Sequence, residues 1–270
     1  MLKLVDLKKT FHPGTPNEVR ALQGVSLTIE EGSFVVVIGT NGSGKSTLLN
    51  AVAGTFLVDQ GKIELAGQDV TGWPEHRRAK FIGRVFQNPY MGSAPHLSIA
   101  ENLALSARRG EFRGLNWALK RRQLEELQQQ VREMGLGMEN RLTNLIGSLS
   151  GGQRQSLTLL MASLKRPDLL LLDEHTAALD PKSADQVIQL TENLVRKQKL
   201  TTLMVTHSMQ QAATLGDRLI MMVRGQIRYD FQGAAKKRLT PEAILSKFEE
   251  VRRMDLLDES AAELLRQRYV

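Results

Sequence analysis

The chain has 270 residues, 41% hydrophobic and 24% charged, an ordinary balance for a globular protein that buries one large core or a core plus a smaller lobe. It has no cysteine, which excludes disulfides, thiolate-held zinc or iron–sulfur centres and thiol catalysis, and no apolar run approaches the roughly 18 residues that span a bilayer. The formal net charge is +7, with basic clusters at Arg108-Arg109, Lys120-Arg121-Arg122, Lys236-Lys237-Arg238 and Arg252-Arg253; they are scattered, so phosphates, an anionic membrane face or a membrane partner are expected and a nucleic-acid partner is not.

Met1-Leu2-Lys3-Leu4-Val5-Asp6-Leu7 alternates as a strand does and lacks the apolar h-region of a signal peptide, so a cytoplasmic protein is expected. Residues 1–38 read as strands broken by a Pro/Gly loop at His12–Asn17 and a turn at Glu31-Gly32. Ser33-Phe34-Val35-Val36-Val37-Ile38 is an apolar, β-branched run, the pattern of a buried strand. Gly39-Thr40-Asn41-Gly42-Ser43-Gly44-Lys45-Ser46 follows it and fits G-x-x-x-x-G-K-[ST], the Walker A pattern, at every fixed position. The glycines let the chain wrap around phosphate with its N–H groups inward, Lys45 adds a charge for the outer phosphates, and Ser46 offers a hydroxyl to magnesium. A helix starts at Ser46-Thr47, which places phosphate on a helix N-terminus. Residues 39–47 are therefore the expected contacts of a bound nucleoside triphosphate.

Lys62–Ala66 alternates as a strand, and Arg84-Val85-Phe86-Gln87 reads as a strand ending on Gln87. Residues 98–135 are expected to be helical, with Asn116 as an N-cap and with Trp117, Leu124, Leu127, Val131 and Met134 on one apolar face. A second α/β half begins near residue 150, with strands at 169–172, 202–206 and 218–223 and helices near 153–164, 182–199 and 208–215. Leu169-Leu170-Leu171-Leu172-Asp173-Glu174 is an apolar run ending in two acids, the Walker B pattern. A strand that stops there puts both carboxylates at the ligand-binding edge of a parallel sheet. Asp173 is the expected magnesium partner and Glu174 is placed to polarise an attacking water. The tail, residues 236–270, is charged and amphipathic. Thr240-Pro241-Glu242 starts a helix there, and Leu256, Leu257, Ala261, Leu264 and Leu265 can share one face that packs on the core, dimerises or meets a partner.

Leu149-Ser150-Gly151-Gly152-Gln153, followed by a helix and then by the acid strand, resembles the signature of the ATP-binding cassette (ABC) ATPases. The resemblance covers about residues 1–235 and implies a P-loop NTPase (RecA-like) α/β core with an antiparallel β subdomain and an inserted α-helical subdomain at about 88–148. It implies ATP and Mg2+ as ligands and a head-to-tail homodimer, in which Ser150, Gly151, Gly152 and Gln153 of one subunit meet the γ-phosphate held by the other. Gln87 resembles the glutamine that senses magnesium and γ-phosphate, Ala178-Leu179-Asp180 the loop that crosses the dimer interface, and His207 the γ-phosphate sensor. Phe11 lies where the family stacks an aromatic ring on adenine; core packing is its other reading. His175 and Ala177 depart from the family's usual proline and serine and remove no reacting group.

The resemblance also implies partners. A cassette of this length without a membrane span is expected at the cytoplasmic face of the inner membrane, driving a separate permease that docks on the helical lobe near Gln87 and Asn88–Ser98. An importer supplied by an extracytoplasmic solute-binding protein is the first expectation, with an amino-acid-like solute suggested by the strings around Gly39–Gly42 and Asp173–Pro181. A lipid or polysaccharide exporter ATPase and a soluble ATPase of iron–sulfur assembly type are the alternatives.

Overall fold

A computed structural model describes residues 1–111, 121–251 and 253. Asn116 and Trp117, the expected cap and first apolar residue of a helix, lie outside them, as do Leu256, Leu257, Ala261, Leu264 and Leu265 of the tail. In chain order the elements are β1 (Leu2–Phe11), β2 (Val19–Ile29), β3 (Phe34–Gly39), α1 (Lys45–Ala53), β4 (Gln60–Leu65), β5 (Gln68–Asp69), α2 (Glu75–Arg78), β6 (Ile82–Val85), α3 (Ile99–Ala107) and α4 (Arg121–Glu133). A 3-10 turn (Ile146–Ser148) leads into α5 (Gly151–Ser163), β7 (Leu169–Asp173), α6 (Pro181–Gln198), β8 (Thr202–Val205), α7 (Met209–Thr214), β9 (Arg218–Val223), β10 (Gln226–Gln232) and α8 (Gly233–Lys237). A further helix occupies 241–251, with Thr240 Oγ1 accepting from the Ala243 N–H at its start.

The strands form two sheets. One is antiparallel, in the order β2-β1-β4-β5, and the other runs β10-β9-β3-β8-β7-β6. In the second sheet β9, β3, β8, β7 and β6 are parallel and β10 closes the edge antiparallel to β9. A parallel sheet covered on both faces needs strands that are apolar throughout, and all six residues of β3 and all four of β8 are buried. Alternate residues then serve two cores. Val35, Val37, Leu169, Leu171, Leu203 and Val205 face α1 and the antiparallel sheet. Val36, Ile38, Leu170, Leu172 and Met204 face the other way, where Leu194 and Val195 of α6 and Ile244 and Val251 of the tail helix pack on them. The start of the tail therefore closes the second core.

The helices between β6 and β7 have a core of their own, built from Ile99, Leu103, Leu127, Val131, Ile146, Leu157 and Met161. On α4 the buried face is Leu127 and Val131, with Met134 partly buried behind it. Leu124 is exposed, against the expectation that it joins that stripe. The expected strand at 84–87 also shifts. β6 runs Ile82–Val85, so Gln87 stands in the loop beyond it. Pairing with β7 ends at Val85–Leu172, although β7 runs on to Asp173, so the chain leaves the ladder at Phe86.

α1 is anchored at its far end by an arginine that sequence alone did not single out. Arg78 is fully buried, and its guanidinium donates to the carbonyls of Ala51 and Val52 at 2.7 and 3.0 Å. A cation on the last carbonyls of a helix satisfies orphan acceptors and complements the dipole.

Candidate active site

The loop between β3 and α1 leaves no room for a side chain at Gly39 or Gly44. A Cβ at Gly39 would fall 2.4 Å from the Met222 carbonyl oxygen, and one at Gly44 would fall 2.5 Å from that of Ala21. Gly44 also has φ +97°, a conformation that favours glycine. It is the N-cap of α1 and brings no side chain to the first-turn amides, which have no intrahelical acceptor. Lys45 is buried, and its Nζ donates to the Gly39 and Thr40 carbonyls at 2.8 and 3.0 Å. Burial lowers its pKa, and the charges of Glu174 and Asp173 oppose that shift. Ser46 is exposed beside it, Thr47 half-buried, and Thr40, Asn41 and Gly42 form the exposed rim. Ser43 Oγ is buried without a hydrogen-bond partner among the described residues.

The two acids that follow one another on the chain have different surroundings. Asp173 is the last residue of β7 and pairs with Val205 of β8. Burial pushes its carboxyl up, while the Arg84 guanidinium and Lys45 pull it down. Glu174 has left the strand with φ +46°, an uncommon conformation for a side-chain-bearing residue that clusters at functional sites. That turn is held by its N–H on the Val205 carbonyl at 3.0 Å and by Ala177 N–H on its own carbonyl at 2.9 Å. The Glu174 carboxylate is nearly buried and meets the half-exposed His207 at 2.5 Å, Oε1 to Nε2. The sequence reading aimed His207 at phosphate; the structure also joins it to the acid.

The loop that carries His207 is braced by Gln211, which the sequence reading missed. Thr206 Oγ1 donates to Gln211 Oε1 at 2.6 Å, and Gln211 Nε2 donates to Thr176 Oγ1 at 3.1 Å, tying the ends of β8 and β7 together. Ser208 caps α7 by accepting from the Gln211 N–H at 3.2 Å, but the Gln211 side chain turns to Thr206 and Thr176 instead of closing a capping box, so no local pattern pointed to it. His175 is fully buried with Nε2 3.0 Å from Thr191 Oγ1, and burial lowers its pKa to about 4, so it is neutral at ordinary pH. Thr191 gives its own proton to the Val187 carbonyl, so His175 Nε2 is the donor.

Gln87 is exposed and lines a groove of about 1010 Å³ with Asn50, Arg84, Phe86, Tyr90, Gly151 and Asp173 among its walls. The structure thus brings Gln87, the acid strand and the start of α5 to one groove. Ser150 and Gln153 are used by α5 itself. Ser150 Oγ accepts from the Gln153 N–H at 3.3 Å, and Gln153 Oε1 accepts from the Ser150 N–H at 3.2 Å. Gly152 packs so close to α6 that a Cβ would lie 2.7 Å from Ser183, whereas Gly151 meets only Leu179 at 3.4 Å. Asp180 caps α6, accepting from the Ser183 N–H at 3.0 Å, with Pro181 at the first helical position. Phe11 sits half-exposed at the end of β1 with its ring edge-on to Phe56, 5.3 Å between centroids, and Lys9 over both rings.

The sequence profile of the ABC transporter family matches residues 22–177, which span the phosphate loop, the signature turn and the acid strand. The chain belongs to the ABC transporter family. It is 43% identical over 251 residues to a tyrosine transport ATP-binding protein of Clostridioides difficile (strain R20291), covering 92% of this chain and 99% of the relative. It is 34% identical over 246 residues to the thiamine import ATP-binding protein ThiQ of Escherichia coli (strain K12), covering 91% and 97%. The lipoprotein-releasing system ATP-binding protein LolD of Ruegeria sp. (strain TM1040) is also 34% identical, over 228 residues, covering 83% and 96%. Among solved structures, a dimeric ATP-binding cassette in a post-hydrolysis state bound to ADP and Pi superposes with a TM-score of 0.71 at 30% identity, covering 86% of this chain and 98% of that one. This ABC cassette therefore has the ABC ATPase fold, binds ATP and is an ATPase.

The donors at the site fit a magnesium ion carried on phosphate. No group of three or more His, Cys, Asp or Glu among the described residues could hold a metal alone. Ser46 and Asp173 offer one hydroxyl and one carboxylate, and magnesium suits such oxygen-only, partly filled sites when phosphate oxygens and water complete them.

Proposed function

We propose that this ABC cassette is the nucleotide-binding subunit of an importer, working as a head-to-tail homodimer on a separate membrane permease, with an amino-acid-like solute delivered by an extracytoplasmic binding protein. The observation that carries the import reading is the 43% identity, over nearly the full length of both chains, to a tyrosine transport ATP-binding protein. No helix among the described residues is long and apolar enough to cross a membrane, which fits a permease supplied by another chain. We read residues 1–235 as the catalytic domain, about 88–148 as its helical lobe and 236–270 as a tail, peripheral on the cytoplasmic face of the inner membrane.

In this reading the backbone amides of residues 39–47 and the Lys45 ammonium hold the phosphates of ATP, and Phe11 stacks on adenine. Ser46 and Asp173, with Gln87 nearby, hold magnesium, which supplies positive charge to the phosphate oxygens. Glu174 takes a proton from the water that attacks the γ-phosphorus as the bond to the bridging oxygen breaks, giving ADP and phosphate. His207, already hydrogen-bonded to Glu174, keeps that carboxylate aimed and reaches the γ-phosphate side of the site. Ser150, Gly151, Gly152 and Gln153 of a second copy close over the γ-phosphate, and Asp180 lies at the junction. Loss of that shared ligand opens the dimer, because ATP has different affinities for the closed and open forms.

A second reading, an ATPase that serves release or export, has the lipoprotein-releasing relative behind it. One experiment separates the two. Tagged protein is pulled down from solubilised native membranes and its partners are identified by mass spectrometry. A permease together with a solute-binding protein is the expected result. A permease with an outward substrate and no binding protein would overturn import, and soluble partners alone would overturn the transporter role of this chain.

A further inference from the structure

Arg84 gathers three parts of the active site around one cation. It lies on β6 opposite Leu171 of β7, one step before the pair Val85–Leu172, so its side chain leaves the sheet beside the strand that ends in Asp173. Nη2 donates to Asn50 Oδ1 at 2.7 Å and stands 3.5 Å from Asp173 Oδ2. Nη1 donates to Thr55 Oγ1 at 3.3 Å and stands 3.9 Å from Glu75 Oε1. The Phe86 ring packs 4.5 Å from the guanidinium carbon. Both members of the Arg84–Asp173 pair are mostly buried, with side chains 12% and 16% exposed. Asn50 belongs to the helix that follows the phosphate loop, and Phe86 immediately precedes Gln87.

The charge on Asp173 is shared among few cations. Arg84 is the one in ion-pair contact among the described residues, while Lys45 acts from further off and gives two of its three protons to the Gly39 and Thr40 carbonyls. A planar guanidinium fixed by Asn50 and by an aromatic face has little freedom to swing away. A fixed positive charge beside a carboxylate lowers that carboxylate's pull on a second cation.

We propose that Arg84 is a positioning residue that competes with the divalent cation for Asp173, so that this chain's own arginine sets how much magnesium the ATP site requires. The inference rests on the reading of Asp173 as the magnesium partner. It predicts that neutralising Arg84 makes the site easier, not harder, to load with metal, the reverse of what loss of a merely structural arginine would do.

The test uses the full chain and a fluorescent ADP analogue, which binds without turnover, at a fixed subsaturating concentration while Mg2+ is titrated at constant ionic strength. Arg84→Met is expected to reach its half-maximal rise in nucleotide binding at roughly three- to tenfold lower Mg2+ than the wild type. Arg84→Lys keeps the charge and is expected to stay near the wild-type midpoint. In an Asp173→Asn background, Arg84→Met is expected to shift nothing. Circular dichroism confirms that each variant is folded, and Arg84→Gln, which can still reach Asn50, stands in if the methionine variant folds poorly. An unchanged or higher Mg2+ midpoint in the folded neutral variant overturns the proposal. A wild-type chain whose nucleotide binding ignores Mg2+ would instead overturn the metal reading of Asp173, and this inference with it.

Discussion

Two helices of this cassette begin in glycine-bearing turns, and they treat their first amides in opposite ways. α1 starts from Gly44, whose left-handed backbone folds the phosphate loop back and whose lack of a side chain leaves the turn uncapped. α5 starts from Ser150, and the reciprocal Ser150–Gln153 pair satisfies one amide at each end of the turn. The first helix start is finished only by something from outside the chain. The second is finished in part: its capping box serves the Ser150 and Gln153 amides, and what it can still offer is the hydroxyl proton of Ser150 and the amides of Gly151 and Gly152. A glycine-rich helix start is thus an anion site in proportion to what its N-cap leaves undone. The difference also suits the two roles proposed here, in which α1 grips ATP on its own subunit and α5 adds a lighter contact from a second copy.

Substitutions can break or sharpen that contrast. The largest effect is expected between the two ends, at Glu174, the acid proposed to serve chemistry and not binding. Glu174→Gln should lower ATP turnover by about 100-fold or more while leaving nucleotide affinity near wild type, as measured by phosphate release and by equilibrium binding. Retained turnover would remove Glu174 as the base. Next comes the α1 end, where Lys45→Ala should weaken ATP binding by roughly 10- to 100-fold in a filter or fluorescence assay, because a buried charge-assisted contact is lost. An unchanged affinity would mean that the ammonium stays on the Gly39 and Thr40 carbonyls when ATP binds. At the α5 end, Ser150→Ala should cost about 1 kcal/mol of stability by chemical denaturation, since the cap is lost, with ATP affinity of the isolated subunit unchanged. A large loss of affinity in the monomer would place the Ser150 hydroxyl in its own subunit's site. The smallest effect is expected at the adenine end: Phe11→Ala should weaken ATP binding by about threefold and leave the turnover of bound ATP unchanged. No loss of affinity would confine Phe11 to its packing against Phe56.

The phosphate loop was legible because its constraints are local. Gly39, Gly42, Gly44, Lys45 and Ser46 act through backbone conformation and spacing within one strand–turn–helix unit. The strands at 169–172, 202–206 and 218–223 were legible for the same kind of reason, as apolar runs that only a covered parallel sheet can bury. Asp180-Pro181 and Ser150-x-x-Gln153 also carry local signals of helix capping, and Asp180 and Ser150 each cap the helix they precede. On α4, periodicity placed Leu124 on the apolar face but could not say where the neighbouring helices stop covering it.

What the sequence determined by itself is the class of chemistry: a nucleotide-gripping loop, an acid strand and a signature turn, in an order that makes this chain an ABC ATPase. What only the tertiary structure decided is which charges meet. Arg84 reaches Asp173 because β6 pairs with β7 across the whole helical lobe, and Glu174 reaches His207 because β7 and β8 lie side by side with α6 between them in sequence. Pairing of strands distant in the chain depends on how three cores pack at once, and no local pattern of residues encodes it.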